Sequence, residues 1–250
     1  MLKKLLLSWA VLLMISFYSV AQFKKGDKMT GASVGNIFFN SGTQDASAPP
    51  VGSTTGKITE FGINISPSLG WFVSDNTAVG VLFNIYTNKK KTSFEENGST
   101  FQKDNEKNFA ASIGGFARNY FSSQGNLLPY GQANLLFGIS NRNTDGFFYG
   151  GSGPSAFKRT YDGNSSGGFF ANASLNFGVT KMVGEYTGLD FFAGYNLYYA
   201  KNTMTTTTLR DEGNDGSIDV TEKNETTTKL TNHGFVIGVG FQVFIKAKKK

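Results

Sequence analysis

The sequence predicts an all-β fold: an eight-stranded antiparallel up-and-down transmembrane β-barrel with long extracellular loops and short periplasmic turns. Three observations predict it. Apolar and polar residues alternate in several segments, as in Gly168 to Val179, where Phe169, Ala171, Ala173, Leu175, Phe177 and Val179 share one face and Phe170, Asn172, Ser174, Asn176 and Gly178 the other, mostly polar one. Successive strand side chains point to opposite sides, so each such segment has one oily and one polar face. The chain also opens with an export signal. Lys3 and Lys4 precede an apolar run from Leu5 to Val20, and Ser19-Val20-Ala21 offers small residues two apart before Gln22. Residues 1–21 therefore read as a secretory signal peptide and residues 22–250 as one barrel domain. Finally, the connections alternate between short and long, as a barrel inserted from the periplasm requires.

The elements follow in order. The first strand, about Met29 to Phe39, alternates weakly. The second, about Lys57 to Val73, sets Phe61, Ile63, Ile65, Leu69 and Trp71 against Gly62, Asn64, Ser66, Ser68 and Gly70. The third, Thr77 to Thr87, sets Val79, Val81, Phe83 and Ile85 against Gly80, Leu82, Asn84 and Tyr86. The fourth, Asn108 to Phe121, places Ile113, Ala117 and Phe121 outward and Ser112, Gly114, Phe116 and Arg118 inward. The fifth, Leu128 to Arg142, directs Leu135, Phe137 and Ile139 outward. The sixth is the opening example. The seventh, Thr187 to Lys201, opposes Leu189, Phe191, Tyr195 and Leu197 to Asp190, Phe192 and Asn196. The eighth, Leu230 to Ile245, opposes Phe235, Ile237, Val239 and Phe241 to Val236, Gly238, Gly240 and Gln242.

Short turns are expected at Ser74 to Asn76, Ser122 to Leu127 and Thr180 to Tyr186. Long, mobile, solvated loops are expected at Asn40 to Gly56, Asn88 to Lys107, Asn143 to Gly167 and Asn202 to Lys229. The run Thr203-Met204-Thr205-Thr206-Thr207-Thr208 has high β propensity, so the last hairpin is expected to extend beyond the bilayer. Hydrocarbon cannot satisfy a strand's N–H and C=O groups, so the sheet must close on itself. Eight strands leave an interior that side chains can fill. Phe72, Leu82, Phe116, Phe170, Phe192 and Phe244 fall on the inner face, which predicts a plug rather than an aqueous pore. Arg118 and Asp190 are the inner-face charges, expected to pair directly, through Asn and Gln neighbours, or to find water near an end.

Three stretches carry a family resemblance: Ile65-Ser66-Pro67-Ser68-Leu69-Gly70-Trp71-Phe72-Val73-Ser74-Asp75-Asn76, Gly115-Phe116-Ala117-Arg118-Asn119-Tyr120-Phe121 and Gly238-Val239-Gly240-Phe241-Gln242-Val243-Phe244. With the signal peptide, they make the chain similar to the small eight-stranded outer-membrane β-barrel proteins, the porin-like or outer membrane protein β-barrel domain group of the Gram-negative envelope. The resemblance implies outer-membrane lipids as surroundings. It also implies the barrel-assembly machinery as a partner during biogenesis, reading an aromatic that closes the last strand. Here Phe244 is followed by Ile245 to Lys250, a departure from the usual terminal position.

Chemistry is sparse. There is no cysteine, which excludes disulfides and a lipid-bearing thiol. No cofactor is expected: neither a phosphate-cradling glycine loop nor haem or zinc spacing occurs. Four lysines in the tail Lys246 to Lys250 read as a solvated end near an anionic membrane surface, not as a nucleic-acid site. Small barrels that cleave or transfer lipid acyl chains resemble His–Ser–carboxylate enzymes. The lone histidine, His233, is followed two residues later by Phe235 where such a barrel has Ser, and Thr231 is the nearest hydroxyl on its face. The expectation is therefore a non-enzymatic protein. Asp211 to Glu222 approximates a calcium loop but misses at Gly213 and lacks flanking helices, so it reads as a solvated loop or a weak Ca²⁺ site.

The leading functional expectation is a structural barrel with an envelope role and surface loops for interaction. The alternatives are an adhesion or ligand-binding barrel acting through residues 143–167 and 202–229, and a narrow porin-like channel. The loop aromatics Phe147, Phe148, Tyr149, Phe157 and Tyr161 are the candidate recognition residues for an extracellular partner. A soluble carrier with its oily face inside is disfavoured by the asymmetric connections.

Overall fold

The computed structural model describes residues 23–48, 52–96, 99–122, 125–151 and 156–247, so the signal-peptide segment lies outside the described residues. Eight strands run β1 (Lys28–Ala48), β2 (Gly52–Phe72), β3 (Thr77–Glu96), β4 (Ser99–Tyr120), β5 (Leu127–Gly150), β6 (Phe157–Met182), β7 (Thr187–Glu212) and β8 (Val220–Ile245). Each pairs antiparallel with its sequence neighbours, and β1 pairs with β8 to close the barrel.

The pleat sorts residues as the alternation predicts. Trp71, Phe83, Ile113, Phe137, Phe177, Phe191 and Phe241 are exposed on the outside. Phe72, Leu82, Phe116, Leu136, Phe170 and Phe244 are buried inside. So continuous an apolar outer surface is far larger than a water-soluble monomer exposes, and it suits acyl chains. The weak alternation of β1 has a local cause. Its register against β2 shifts between Val34 and Asn36, a bulge at Gly35. The extra residue reverses the phase, so Met29 faces in below it while Ile37 and Phe39 face out above it.

The expectation of four long mobile loops is corrected. Strands of up to 26 residues continue through most of the segments 40–56, 88–107, 143–167 and 202–229. A tilted strand needs about 9–11 residues to cross a bilayer, so the upper half of each strand stands outside it. There the sheet is held by polar cross-strand pairs. Lys57 Nζ lies 3.0 Å from Glu95 Oε2, Arg142 Nη2 2.8 Å from Glu106 Oε2, and Asn105 Nδ2 donates to Asp145 Oδ2 at 2.7 Å. Threonines of β7 face threonines of β8, as at Thr203↔Thr227.

Closure is uneven. The β1–β8 ladder runs only from Lys28↔Ile245 to Val34↔Val239, whereas the other ladders continue into the extension. Above Val34 and Val239 the two strands part, and a seam opens in the wall. The side chains that flank it stand out most: Phe235 is 91% exposed, Ile237 73% and Phe39 67%.

The periplasmic end is filled by a segment ahead of the first strand. Phe23 is almost completely buried, its ring 4.6 Å from those of Phe72 and Phe244 and 4.9 Å from Tyr120. Asp27, also buried, fixes this segment. Its carboxylate accepts from Lys24 N at 3.0 Å and Ala247 N at 2.9 Å, and Lys246 Nζ approaches to 3.4 Å. The two ends of the described chain thus meet beneath the barrel.

Candidate functional site: the barrel interior

Inside the barrel the inner-face residues form layers. Above the aromatic floor lies a charged cluster. Arg118 on β4 and Asp190 on β7 are both more than nine-tenths buried, and Nη1 of the first is 2.8 Å from Oδ2 of the second. Strands β4 and β7 are not neighbours, so this ion pair braces the lumen from wall to wall. Arg118 also donates from Nε to Gln132 Oε1 at 2.6 Å and from Nη1 to the Tyr120 hydroxyl at 3.1 Å. Its guanidinium lies 3.9 Å from the centre of the Tyr130 ring. Asp190 accepts from Thr180 Oγ1 at 2.5 Å and from Gln242 Nε2 at 3.1 Å. Desolvating two charges is expensive, and these extra donors and acceptors offset the cost. The cluster as a whole is formally neutral.

Above it the bore is not filled. A chamber of about 420 Å³ is bounded below by Arg118 and Tyr130 and above by Tyr86, Phe170 and Tyr198. Its walls carry six asparagines: Asn64, Asn84, Asn134, Asn172, Asn176 and Asn196. Part of their hydrogen-bonding capacity is spent across the wall. Asn84 Nδ2 donates to Asn64 Oδ1 at 2.7 Å, Asn134 Nδ2 to Ser174 Oγ at 2.9 Å, and Asn172 Nδ2 to Asn196 Oδ1 at 2.5 Å. Among the described residues, Ser112 Oγ and Asn176 Oδ1, also in the wall, have no hydrogen-bond partner. Phe170 and Tyr198 pack 5.5 Å apart as part of the roof. A second cavity of about 230 Å³ lies beyond it and shares Tyr86, Ala110 and Tyr198 with the chamber. The inner-face aromatics thus fill the lower bore, and a hollow lies above them.

The aromatics expected to cluster on a mobile loop belong to β5 and β6 and divide between two faces. Phe148 packs 6.0 Å from Phe157 and 6.4 Å from Phe101. Tyr161 donates its hydroxyl to Asp104 Oδ1. Phe147 instead meets Tyr149 at 5.4 Å, with Lys158 Nζ 5.5 Å over the Tyr149 ring. Long antiparallel pairing, Gly150↔Phe157 to Arg142↔Ser165, forces neighbouring aromatics to opposite sides. Burial pushes the Tyr161 phenol above its ordinary value, as do its bond to Asp104 and the charges of Asp104 and Asp145.

Two other candidates are placed by the structure. His233 lies on the outer face of β8 with Nδ1 against the Tyr195 hydroxyl, and Thr231 stands on the same face of that strand. The acidic segment 211–222 is a tight turn between β7 and β8, with Gly213, Asn214 and Gly216 at positive φ. Asp211 accepts from Asp215 N and Gly216 N, and Asp219 from Glu212 N. The carboxylates thus cap the turn's backbone, and Glu222 sits in the β8 ladder opposite Thr208. Among the described residues, no three His, Cys, Asp or Glu side chains gather as a metal site.

An oily exterior, a hydrogen-bonded closure and a polar interior make this chain a transmembrane β-barrel of the outer-membrane type. No protein-family model matches the sequence, and no curated protein matches it. Solved structures similar to it are outer membrane proteins. OprG from Pseudomonas aeruginosa is 11% identical with a TM-score of 0.37, over 92% of this chain and 100% of that one. AlkL, solved in DMPC bilayers, is 14% identical with a TM-score of 0.40, over 93% and 96%. A major outer membrane protein from Thermus thermophilus is 9% identical with a TM-score of 0.44, over 88% and 99%.

Proposed function

We propose that this barrel is a non-enzymatic, non-conducting element of the outer membrane that holds a stiff β-sheet extension above the cell surface for structural contacts. The filled lower bore carries the reading: Phe23, Phe72, Tyr120 and Phe244 stack beneath the Arg118–Asp190 brace. An ion would have to displace packed rings and part a buried ion pair to pass. His233 has a tyrosine hydroxyl as its side-chain partner and faces outward, which supports the absence of a hydrolytic triad.

A second reading, adhesion through residues 143–167 and 202–229, is favoured by one observation. The outer edge of β8 from Val220 to Gly238 has no ladder partner on β1, and its residues from Thr221 to His233 are exposed. A free strand edge is a template for adding another strand. Planar-bilayer recording tests the main reading. The refolded protein is expected to give a flat baseline, and steady ohmic current through single barrels would overturn it.

A further inference from the structure

The chamber in the upper bore has a chemical character of its own. Its charges are spent, because Arg118 and Asp190 neutralise each other in the floor. An ionic ligand would find no counter-charge there. Its walls mix carboxamides and hydroxyls, groups that both donate and accept, with the apolar side chains of Leu82, Leu136, Phe192 and Val236. Several of these functions stay unused by the protein among the described residues. Asn64 and Asn196 employ Oδ1 in the wall bonds and keep Nδ2, and Asn172 employs Nδ2 and keeps Oδ1. An alkane in this space would strand them, at the full desolvation cost of each. Aromatic side chains line both ends, Tyr130 below and Phe170 and Tyr198 above.

We propose that this chamber is a binding site for an uncharged polyhydroxylated molecule of one or two sugar rings. Sugar hydroxyls both donate and accept, which matches carboxamide walls. The apolar face of a pyranose ring suits the aromatic roof. A chamber of about 420 Å³ lies within the usual range of small-molecule sites. The vestibule above, sharing Tyr86 and Tyr198, gives an approach from outside the cell. The filled floor blocks the way to the periplasm, so the ligand is held above it rather than passed down the bore.

The test titrates sucrose, and separately glucose, into the refolded protein in a sugar-free detergent, following the side-chain carboxamide NMR signals. Saturable shifts of the Asn176 and Asn196 signals are expected, with a dissociation constant on the order of 1 mM. Sodium sulfate and decane are expected to produce none. Asn196→Leu should weaken sucrose binding about tenfold, with its fold checked by heat-modifiability. If that variant does not fold, Asn64→Leu takes its place. No saturable shift with either sugar overturns the proposal. So does saturation by decane or sulfate in their stead, or unchanged sucrose affinity in a folded variant. Bilayer current addresses the separate reading of a closed bore and does not bear on this outcome.

Discussion

At the scale of single residues, the Arg118–Asp190 pair carries the sharpest expectation. Arg118→Ala leaves Asp190 buried without its counter-charge, with neutral donors such as Thr180 and Gln242 around it. Removing one partner of such a pair costs about 3–5 kcal/mol, because the other charge stays desolvated. The double change Arg118→Leu with Asp190→Leu removes both charges and should recover much of that loss. Urea midpoints of the refolded barrel, compared across the three proteins, check the order; a double variant as weak as the single would refute it. Tyr161 gives a pH dependence. Its phenol is held protonated in the folded state above the ordinary value of 10.0, so its contribution is complete below that pH and fades as pH rises beyond it. The stability gap between wild type and Tyr161→Phe should stay constant up to about pH 10 and narrow above it. Asp104→Asn should bring the phenol's absorbance titration to lower pH.

At the scale of elements, the free edges set the dynamics. Edge N–H groups of β1 above Gly35 and of β8 above Val239 lack the partner strand that protects the rest of the sheet. Hydrogen exchange in detergent should be fastest there and slowest in β4, β5 and β6, whose ladders run long on both sides. Equal protection at the seam and in β5 would mean the strands zip together in solution. The same elements show what the sequence discloses. Lipid-crossing stretches are legible because one face must be oily, as in Phe169 to Val179. The extracellular halves are not, since Thr205, Asn224 and Lys223 are polar on both faces and leave no period of two. The bulge at Gly35 hides β1 for a related reason, cancelling its alternation halfway along. Parity alone put Arg118 and Asp190 on the inner face. Gln132, Thr180 and Gln242 share that parity with them, but only the register across strands brings the five together. Phe23 gave no signal: one aromatic ahead of Lys24 and Lys25 has no pattern to stand in.

At the scale of the whole molecule, the barrel is a tube stopped at its base, hollow at mid-height and split along one side above Val34 and Val239. Hydrocarbon and water divide these features between them. The outer apolar girdle needs lipid, the floor packs aromatic rings beneath a buried ion pair, and the hydrogen-bonded extension needs only water. Asp27 adds a topological consequence, since it ties the segment before β1 to Ala247 after β8. The described residues from Asp27 to Ala247 nearly close into a ring. A circular permutant that joins tail to head and begins anew in the turn between Glu212 and Val220 should therefore thread into the same barrel, with its fresh termini on the cell exterior. Heat-modifiable migration of that permutant, together with surface labelling of its new amino terminus on intact cells, would show whether chain order or spatial neighbourhood governs how this wall is laid down.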